Sequence, residues 1–331
     1  LLMIVGELRP DGVDVCRSIL SSTAGKSRKS YQTVLYKPPT TSHFTFDPEI
    51  MVTTCFLQRM HLDGLKELRD LYQVDWPKYA FTFYTLDTFV RWHKWFLNDE
   101  VQLYTDLRPD WRVSGTFVAK DHNELFFDTL METTSGLKEL LTTIVQICGS
   151  KLSVVCSSRF REMLIATTYD ASYRKTSDDR MICYRQCVPP QIDDKSDLPY
   201  GYRCCPVRLA DTDFVSKQWV HNEPMFANLP GRLIDRNPSL GVYDEKDQLV
   251  AWCLIDQTGS LALFQTVVLH QRKGLGRAII DHFARQLHKK GILPQALIVE
   301  CNQGSRSLFE KLGFEVVNQW CWTKFEQQRT Q

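Results

Sequence analysis

Several signatures are missing from this chain, and each absence narrows what it can be. The apolar runs fall short of the roughly twenty residues that cross a bilayer, and Leu1 to Val5 has neither a basic flank nor a full hydrophobic segment for secretion. The sole Asn-x-Ser/Thr sequence, Asn237-Pro238-Ser239, is disqualified as a glycosylation acceptor by its proline. Neither sign of charge dominates: 40 Lys and Arg against 39 Asp and Glu give a net charge of +1. The charges are interspersed, so no nucleic acid and no membrane is expected as a partner. Metal-ligand spacing is lacking too, because Cys183 with Cys187 and the pair Cys204-Cys205 have no properly spaced second ligand pair. No metal is therefore expected. The N-terminal half has no Gly-rich anion loop, since Ala24-Gly25-Lys26-Ser27 places Leu20 where a phosphate loop needs its first glycine. The basic run Lys26-Ser27-Arg28-Lys29 is read as a solvated loop.

The cysteines number 11, an odd count, and Cys148, Cys156, Cys253 and Cys301 lie in apolar or strand-like runs. Small buried thiols in a reducing compartment account for them better than a disulfide framework. The expectation is an intracellular protein, cytoplasmic or mitochondrial. A chain of 331 residues with 43% hydrophobic content can bury a substantial core and suggests about two domains. The clearest boundary is Gln186 to Tyr200, where Pro189-Pro190, Pro199 and a polar run interrupt two ordered stretches. The division is an N-terminal α/β domain over 1–185, a linker over 186–200 and a second domain over 201–331. In the first, helices are expected at 62–72, 86–97 and 136–148, with strands at 112–120, 151–156 and 181–186. In the second, strand 203–209 leads to a helix capped by Asp211, a helix at 229–235, and strands 239–243, 249–256 and 261–269. A helix over 279–287, a strand at 297–302, a short helix at 305–313 and a last strand at 315–325 complete the order.

The most informative stretch is Gln271-Arg272-Lys273-Gly274-Leu275-Gly276-Arg277-Ala278, set between an apolar strand and an amphipathic helix. Gly274 and Gly276 allow tight turning and close ligand approach, so backbone N–H groups and the positive helix end converge on one anion. Arg272, Lys273 and Arg277 add formal charge. This Gln-x-x-Gly-x-Gly loop resembles the coenzyme A loop of the GCN5-related N-acetyltransferases (GNAT). The remaining landmarks of that superfamily follow in order: a strand ending in Asn302, then Ser305 to Phe314 as a short helix closed by Leu312-Gly313-Phe314. Upstream, Trp252-x-x-x-Asp256-Gln257-Thr258-Gly259 resembles a hairpin of the glycine N-acyltransferase-like proteins, the FR47-like branch. The resemblance covers about residues 200 to 325. It implies a C-terminal GNAT fold with a mixed sheet, α/β in class, and leaves open that the N-terminal half is a degenerate copy.

The resemblance also implies the ligand. Acetyl-CoA or another acyl-CoA would lie along Val267, Val268 and Leu269, place its pyrophosphate on Gln271, Arg272, Lys273, Gly274, Leu275, Gly276 and Arg277, and reach Asn302, Ser305 and Phe309. Backbone near Leu269 would polarise the carbonyl. Two departures from the family pattern stand out: Phe309 occupies the position of a tyrosine acid, and Val268-Leu269-His270-Gln271 replaces Pro-Glu-Tyr-Arg. His270, a residue type whose charge changes around neutral pH, is the candidate base, against its reading as a plain loop histidine. His221, Glu223 and Asp256 are candidate acceptor contacts. Asp256 can equally order its turn, and Asn302 and Ser305 can equally cap their helix. Glu300 remains a further candidate, while Cys253 and Cys301 are not needed as nucleophiles in a direct transfer. The leading expectation is an N-acyltransferase acting on a small amine or amino acid, glycine included, with monomer and homodimer both open. A protein N-acetyltransferase and a non-catalytic acyl-CoA-binding module are the alternatives.

Overall fold

The computed structural model describes residues 57–94, 101–106, 110–189, 198–226 and 228–328, together with three short strands nearer the N-terminus. These strands are β1 (Met3–Glu7), β2 (Val15–Cys16) and β3 (Thr33–Tyr36). The chain continues through β4 (Leu57–Arg59), α1 (Leu62–Leu71), α2 (Ala80–Arg91), β5 (Val101–Asp106), α3 (Trp111–Ser114), β6 (Phe117–Asp121) and β7 (Glu124–Asp128). Then come α4 (Ser135–Gln146), β8 (Lys151–Ser157), α5 (Arg161–Asp170) and β9 (Tyr173–Arg185). The second half begins with β10 (Arg203–Cys205), α6 (Thr212–Gln218), α7 (Leu229–Arg236), β11 (Ser239–Tyr243), β12 (Leu249–Ile255) and β13 (Leu261–Thr266). It ends with α8 (Leu275–Lys289), β14 (Gln295–Val299), α9 (Gln303–Lys311) and β15 (Glu315–Gln327). The basic run at 26–29, most of the expected linker (190–197) and the end of the helix expected at 86–97 lie outside the described residues.

The mixed α/β class and the C-terminal element order agree with the sequence reading. In the N-terminal half, the strand expected at 112–120 divides. Trp111–Ser114 forms one helical turn, with the Asp110 side chain accepting from Arg112 N at 3.0 Å and Gly115 closing it in the left-handed region; the strand starts at Phe117. The second helix starts earlier than expected, at Ala80, where Phe81 and Tyr84 turn inward. Asp211 precedes its helix without capping it, because its Oδ2 accepts the Tyr243 hydroxyl at 2.6 Å.

Each half ends in the same pattern of strand, helix, strand, helix and long last strand, and the two last strands are exchanged. Along the larger sheet the order β14-β9-β15-β8 places β9 beside β14 and β15 beside β8. The two exchanged strands pair with each other from Glu315 opposite Arg185 to Gln327 opposite Tyr173. Neither half therefore closes its sheet with its own last strand. The smaller sheet, β10-β11-β12-β13, ends at β13, which is not hydrogen-bonded to β14 beside it. The two strands splay, and the gap between them opens the site.

The cores follow from the apolar periodicities. Leu275, Ile279, Ile280, Phe283, Ala284 and Leu287 form the buried face of α8 and pack with Leu240, Val242, Ala251 and Cys253 of the smaller sheet. A second core is shared by the halves, joining Phe89, Trp92 and Phe117 to Phe226, Leu233 and Trp252. Polar latches cross the same boundary: Trp92 Nε1 and Arg91 Nη1 both donate to Asn237 Oδ1 at 3.0 Å, and Leu293 N donates to Tyr84 Oη at 2.8 Å.

Candidate active site

The loop before α8 is shaped by two left-handed residues, Arg272 (φ 63°) and Gly274 (φ 82°). A β-carbon on Gly274 would meet no atom within 4 Å, so the loop face there is open. Glycine is required by the backbone angle rather than by crowding. At Gly276 the reason is reversed, since a β-carbon would sit 3.0 Å from Phe264 Cζ of β13. The helix lies that close to the strand. The first helical bond runs from Ala278 N to Gly274 O, so the amides of Leu275, Gly276 and Arg277 have no acceptor within the helix. With no side-chain cap and with Gln271, Arg272, Lys273 and Arg277 exposed around them, these amides fit a pyrophosphate.

The strand leading into the loop is shorter than its sequence suggests. Val267 N still donates to Val250 O at 2.8 Å, after which Val268–His270 curl into a 3-10 turn. Val268 and Leu269 are 77% and 83% exposed. The ladder is interrupted deeper down, where Trp252 pairs with Gln265 but Leu254 pairs with Ala262. This bulge includes Leu263, held at φ 46°. A bulge leaves a backbone unit outside the ladder, so main chain turns away from its neighbour at Leu263 and Phe264 as well as after Val267.

Both residues line a cavity of about 260 Å³ between the splayed strands. One side is formed by Leu261 to Gln265 of β13 and by Leu297, Ile298 and Val299 of β14, with Asn302, Ser305 and Phe309 beyond. Asn302 also caps α9, its side chain accepting from Ser305 N at 3.1 Å. Phe309 is buried against Phe314, ring centroids 4.8 Å apart. The other side is aromatic: Trp219, His221, Phe226 and Trp322, with Phe126, Val155 and Met181 from the N-terminal half.

Two carboxyl groups reach this cavity, Asp256 and Glu124. Asp256 Oδ1 accepts from Thr258 N, Thr258 Oγ1 and Ser260 N at 2.8, 2.6 and 3.1 Å. It orders its turn, as the sequence suggests, and burial pushes its carboxyl up to about 6. Glu124, at the start of β7, escaped the sequence reading. Burial, with Asp121 beside it, pushes the Glu124 carboxyl up to about 8. It accepts from Gln257 Nε2 at 2.7 Å, and the same nitrogen donates to Asp121 Oδ2 at 3.0 Å. Asp121 in turn accepts from Arg232 Nη1 at 2.6 Å. Burial alone would raise Asp121, but the His122 hydrogen bond, Arg232 and Gln257 outweigh it and leave that carboxyl below its ordinary value. One buried pair thus holds an ionised Asp121 and a Glu124 poised near neutrality.

The Asp256-Gln257-Thr258-Gly259 turn acquires a second purpose from this geometry. Gln257 reaches into the N-terminal half, and Gly259 (φ 71°) sits so close to α2 that a β-carbon would lie 2.6 Å from Tyr84 Cβ. The only sequence signal for Glu124 is a pair of acids, Asp121 and Glu124, flanking the His122-Asn123 turn between two apolar strands.

The remaining expected residues separate into those at the cavity and those away from it. His221 lines it, edge-on to Trp322 at 4.7 Å; burial, then Lys324, hold its imidazole below the ordinary value, so it is neutral at pH 7. Glu223 is exposed and pairs with Lys324 outside the lining. His270 also lies outside the lining, its Nδ1 3.0 Å from Tyr202 Oη, to which Lys273 Nζ donates at 3.1 Å. That arrangement joins His270 to the anion loop. Among the described residues, no group of three His, Cys, Asp or Glu is arranged to hold a metal, and no helix is long and apolar enough to cross a membrane.

Residues 239–323 match the FR47-like protein family. A Drosophila protein of known structure superposes with a TM-score of 0.70 at 20% identity, over 81% of this chain and 97% of that one. A tandem GNAT protein from the clavulanic acid biosynthesis pathway, solved without AcCoA, superposes at 0.51 and 11% identity over 83% of this chain and 99% of its own. A Pyrococcus horikoshii protein assigned to the acetyltransferases gives 0.52 at 10% identity, covering 86% and 94%. At these identities the likeness is one of fold, and it extends over both halves. The FR47-like match covers residues 239–323, and the fold that surrounds it is the one seen in these acetyltransferase structures.

Proposed function

We propose that this chain is an acyl-CoA-dependent N-acyltransferase that moves an acetyl or other acyl group directly to the amine of a small molecule. The observation that carries this reading is that β13 serves both parts of the site: it leads into the anion loop at Arg272 to Arg277, and its residues Leu261 to Gln265 line a cavity that also includes an ionisable carboxyl, Glu124. Bound acyl-CoA supplies the activated acyl thioester. The chain's residues supply placement and proton transfer. Gly274 makes the left-handed turn that presents the helix amides to the pyrophosphate, Gly276 lets α8 lie close on β13, and the free edge of β13 offers main chain to the pantetheine arm. The bulge at Leu263 and Phe264 supplies backbone polarity where negative charge develops on the acyl oxygen. Glu124 takes the proton from the acceptor ammonium. The amine nitrogen then forms its bond to the acyl carbon as the carbon–sulfur bond breaks; the excess proton on that nitrogen passes to solvent, the departing thiolate takes a proton from solvent, and Glu124 returns its proton to solvent before the next turnover.

Glu124 suits this work better than His270, since it lies in the cavity wall and His270 does not. The mostly apolar lining and the volume of about 260 Å³ also favour a small acceptor over a protein chain. A panel of acyl-CoA donors and amines tests the proposal by CoA thiol release. Amine-dependent, saturable release is expected; CoA binding without release from any pair would return the chain to the non-catalytic alternative.

A further inference from the structure

Among the described residues, three ionisable ones line the cavity, Glu124, Asp256 and His221, and none of the lining residues is Lys or Arg. Two cations nearby, Arg232 and Lys324, are committed. Arg232 donates to Asp121 at 2.6 Å. Lys324 pairs with Glu223 and lies over the rings of Phe226 and Trp322. The aromatic side is continuous, with Trp219 to Phe226 at 5.3 Å, Phe226 to Trp322 at 6.0 Å and His221 to Trp322 at 4.7 Å between ring centroids. Such a wall binds flat apolar groups and favours a positive charge over a negative one, because aromatic faces are electron-rich.

We propose that the acceptor is an amine carried on an apolar body and bearing no carboxylate, seated against Trp219, Phe226 and Trp322 with its nitrogen at Glu124. The proposal rests on the N-acyltransferase reading above and narrows its substrate class. An amino acid, glycine included, would bring its carboxylate into a space that, among the described residues, holds two carboxyl groups, one imidazole and no Lys or Arg side chain. There it would stay desolvated and unpaired, or the molecule would bind without reaching Glu124. Glycine would also leave the aromatic wall unfilled. The same lining accepts a cationic amine at one end and an aryl or branched alkyl group at the other.

The test is a set of matched pairs assayed with acetyl-CoA by thiol release: 2-phenylethylamine against phenylalanine, 3-methylbutylamine against leucine, and methylamine against glycine. Phenylalanine amide, of similar bulk but without the negative charge, separates charge from size. We expect each amine to exceed its carboxylated partner in kcat/KM by roughly 10²-fold, the scale on which sites reject a group whose polar needs they cannot meet. Phenylalanine amide should recover most of that loss, and 2-phenylethylamine should exceed methylamine. Equal or better use of the amino acids would overturn the proposal and leave the acyltransferase reading standing. Should no pair release thiol, the acyltransferase reading falls, and calorimetry on the CoA-loaded protein decides the rest. Tighter binding of 2-phenylethylamine than of phenylalanine would support the acceptor class, and equal or undetectable binding would end it.

Discussion

Replacing Glu124 by glutamine removes one ionisable group while keeping its shape and an oxygen to accept from Gln257. The wild-type carboxyl is 5% exposed, and burial, with Asp121 next to it, raises it to about 8. The charged groups that act on it are Asp121 and Asp256, which raise it further, and Arg232, which lowers it, while Gln257 donates to it and His122 acts through Asp121. A raised acid is protonated below its pKa and ionised above it, and only the ionised form can take a proton from the acceptor ammonium. The wild-type kcat/KM for the amine should therefore climb about tenfold per pH unit up to about 8 and then level. Glu124→Gln should abolish that limb and lower turnover by roughly 10²- to 10⁴-fold, the range for one general acid–base group, with CoA affinity unchanged. A stability measurement separates this from misfolding. Because the folded state holds the Glu124 proton from its ordinary value of 4.5 up to about 8, this group's contribution to stability falls as pH rises through that window. The variant loses that penalty and should melt no lower than wild type at pH 8. Initial rates of thiol release between pH 5.5 and 9.5 provide the assay; full activity with the acidic limb intact would refute the argument.

Other outcomes follow from the same geometry. Gly274→Asn tolerates the left-handed angle and adds no charge, so it should weaken CoA binding modestly, whereas Gly274→Asp should weaken it by at least about tenfold more, as read by calorimetry. His270→Gln should change kcat by less than about threefold, within the noise expected of a residue outside acid–base work, while shifting the KM for acyl-CoA through Tyr202 and Lys273; a 10²-fold loss in kcat would make His270 the base after all. Gly259→Ala forces a β-carbon against Tyr84 at a left-handed angle and should cost about 2 kcal/mol or more in thermal unfolding. Residues 198–331 expressed alone lack β9, the neighbour of both β14 and β15, and should be insoluble or molten by near-ultraviolet circular dichroism; a cooperative, CoA-binding fragment would contradict the importance of the exchange.

The parts of the molecule legible in sequence are those whose physics is local. The loop at 271–277 announces itself because its glycines serve a left-handed turn and a close helix–strand approach, both written within a few residues. Strands such as Ser239–Tyr243 and the helix face Ile279 to Leu287 follow from apolar spacing and glycine punctuation. The one-turn helix Trp111–Ser114 is too short to show a period, and its cap and closing glycine lie inside what resembles one continuous strand. The exchange of β9 and β15 leaves no local trace either, since both strands would carry the same apolar pattern if each paired within its own half. Glu124 is the clearest case of chemistry set by distance: its partner Gln257 stands 133 residues away, and only the packing of the halves brings them within 2.7 Å. His270 is the converse, adjacent in sequence to the anion loop yet turned to Tyr202 rather than into the cavity.

The central claim, that the gap between β13 and β14 transfers an acyl group from CoA to an amine, is tested most directly by following CoA thiol release from acetyl-CoA with 2-phenylethylamine and identifying the product by mass. The account predicts saturable, amine-dependent release matched by one amide per thiol, and its near-complete loss in Glu124→Gln. Stoichiometric CoA binding with no amide formed from this or any other amine and acyl-CoA pair would contradict it.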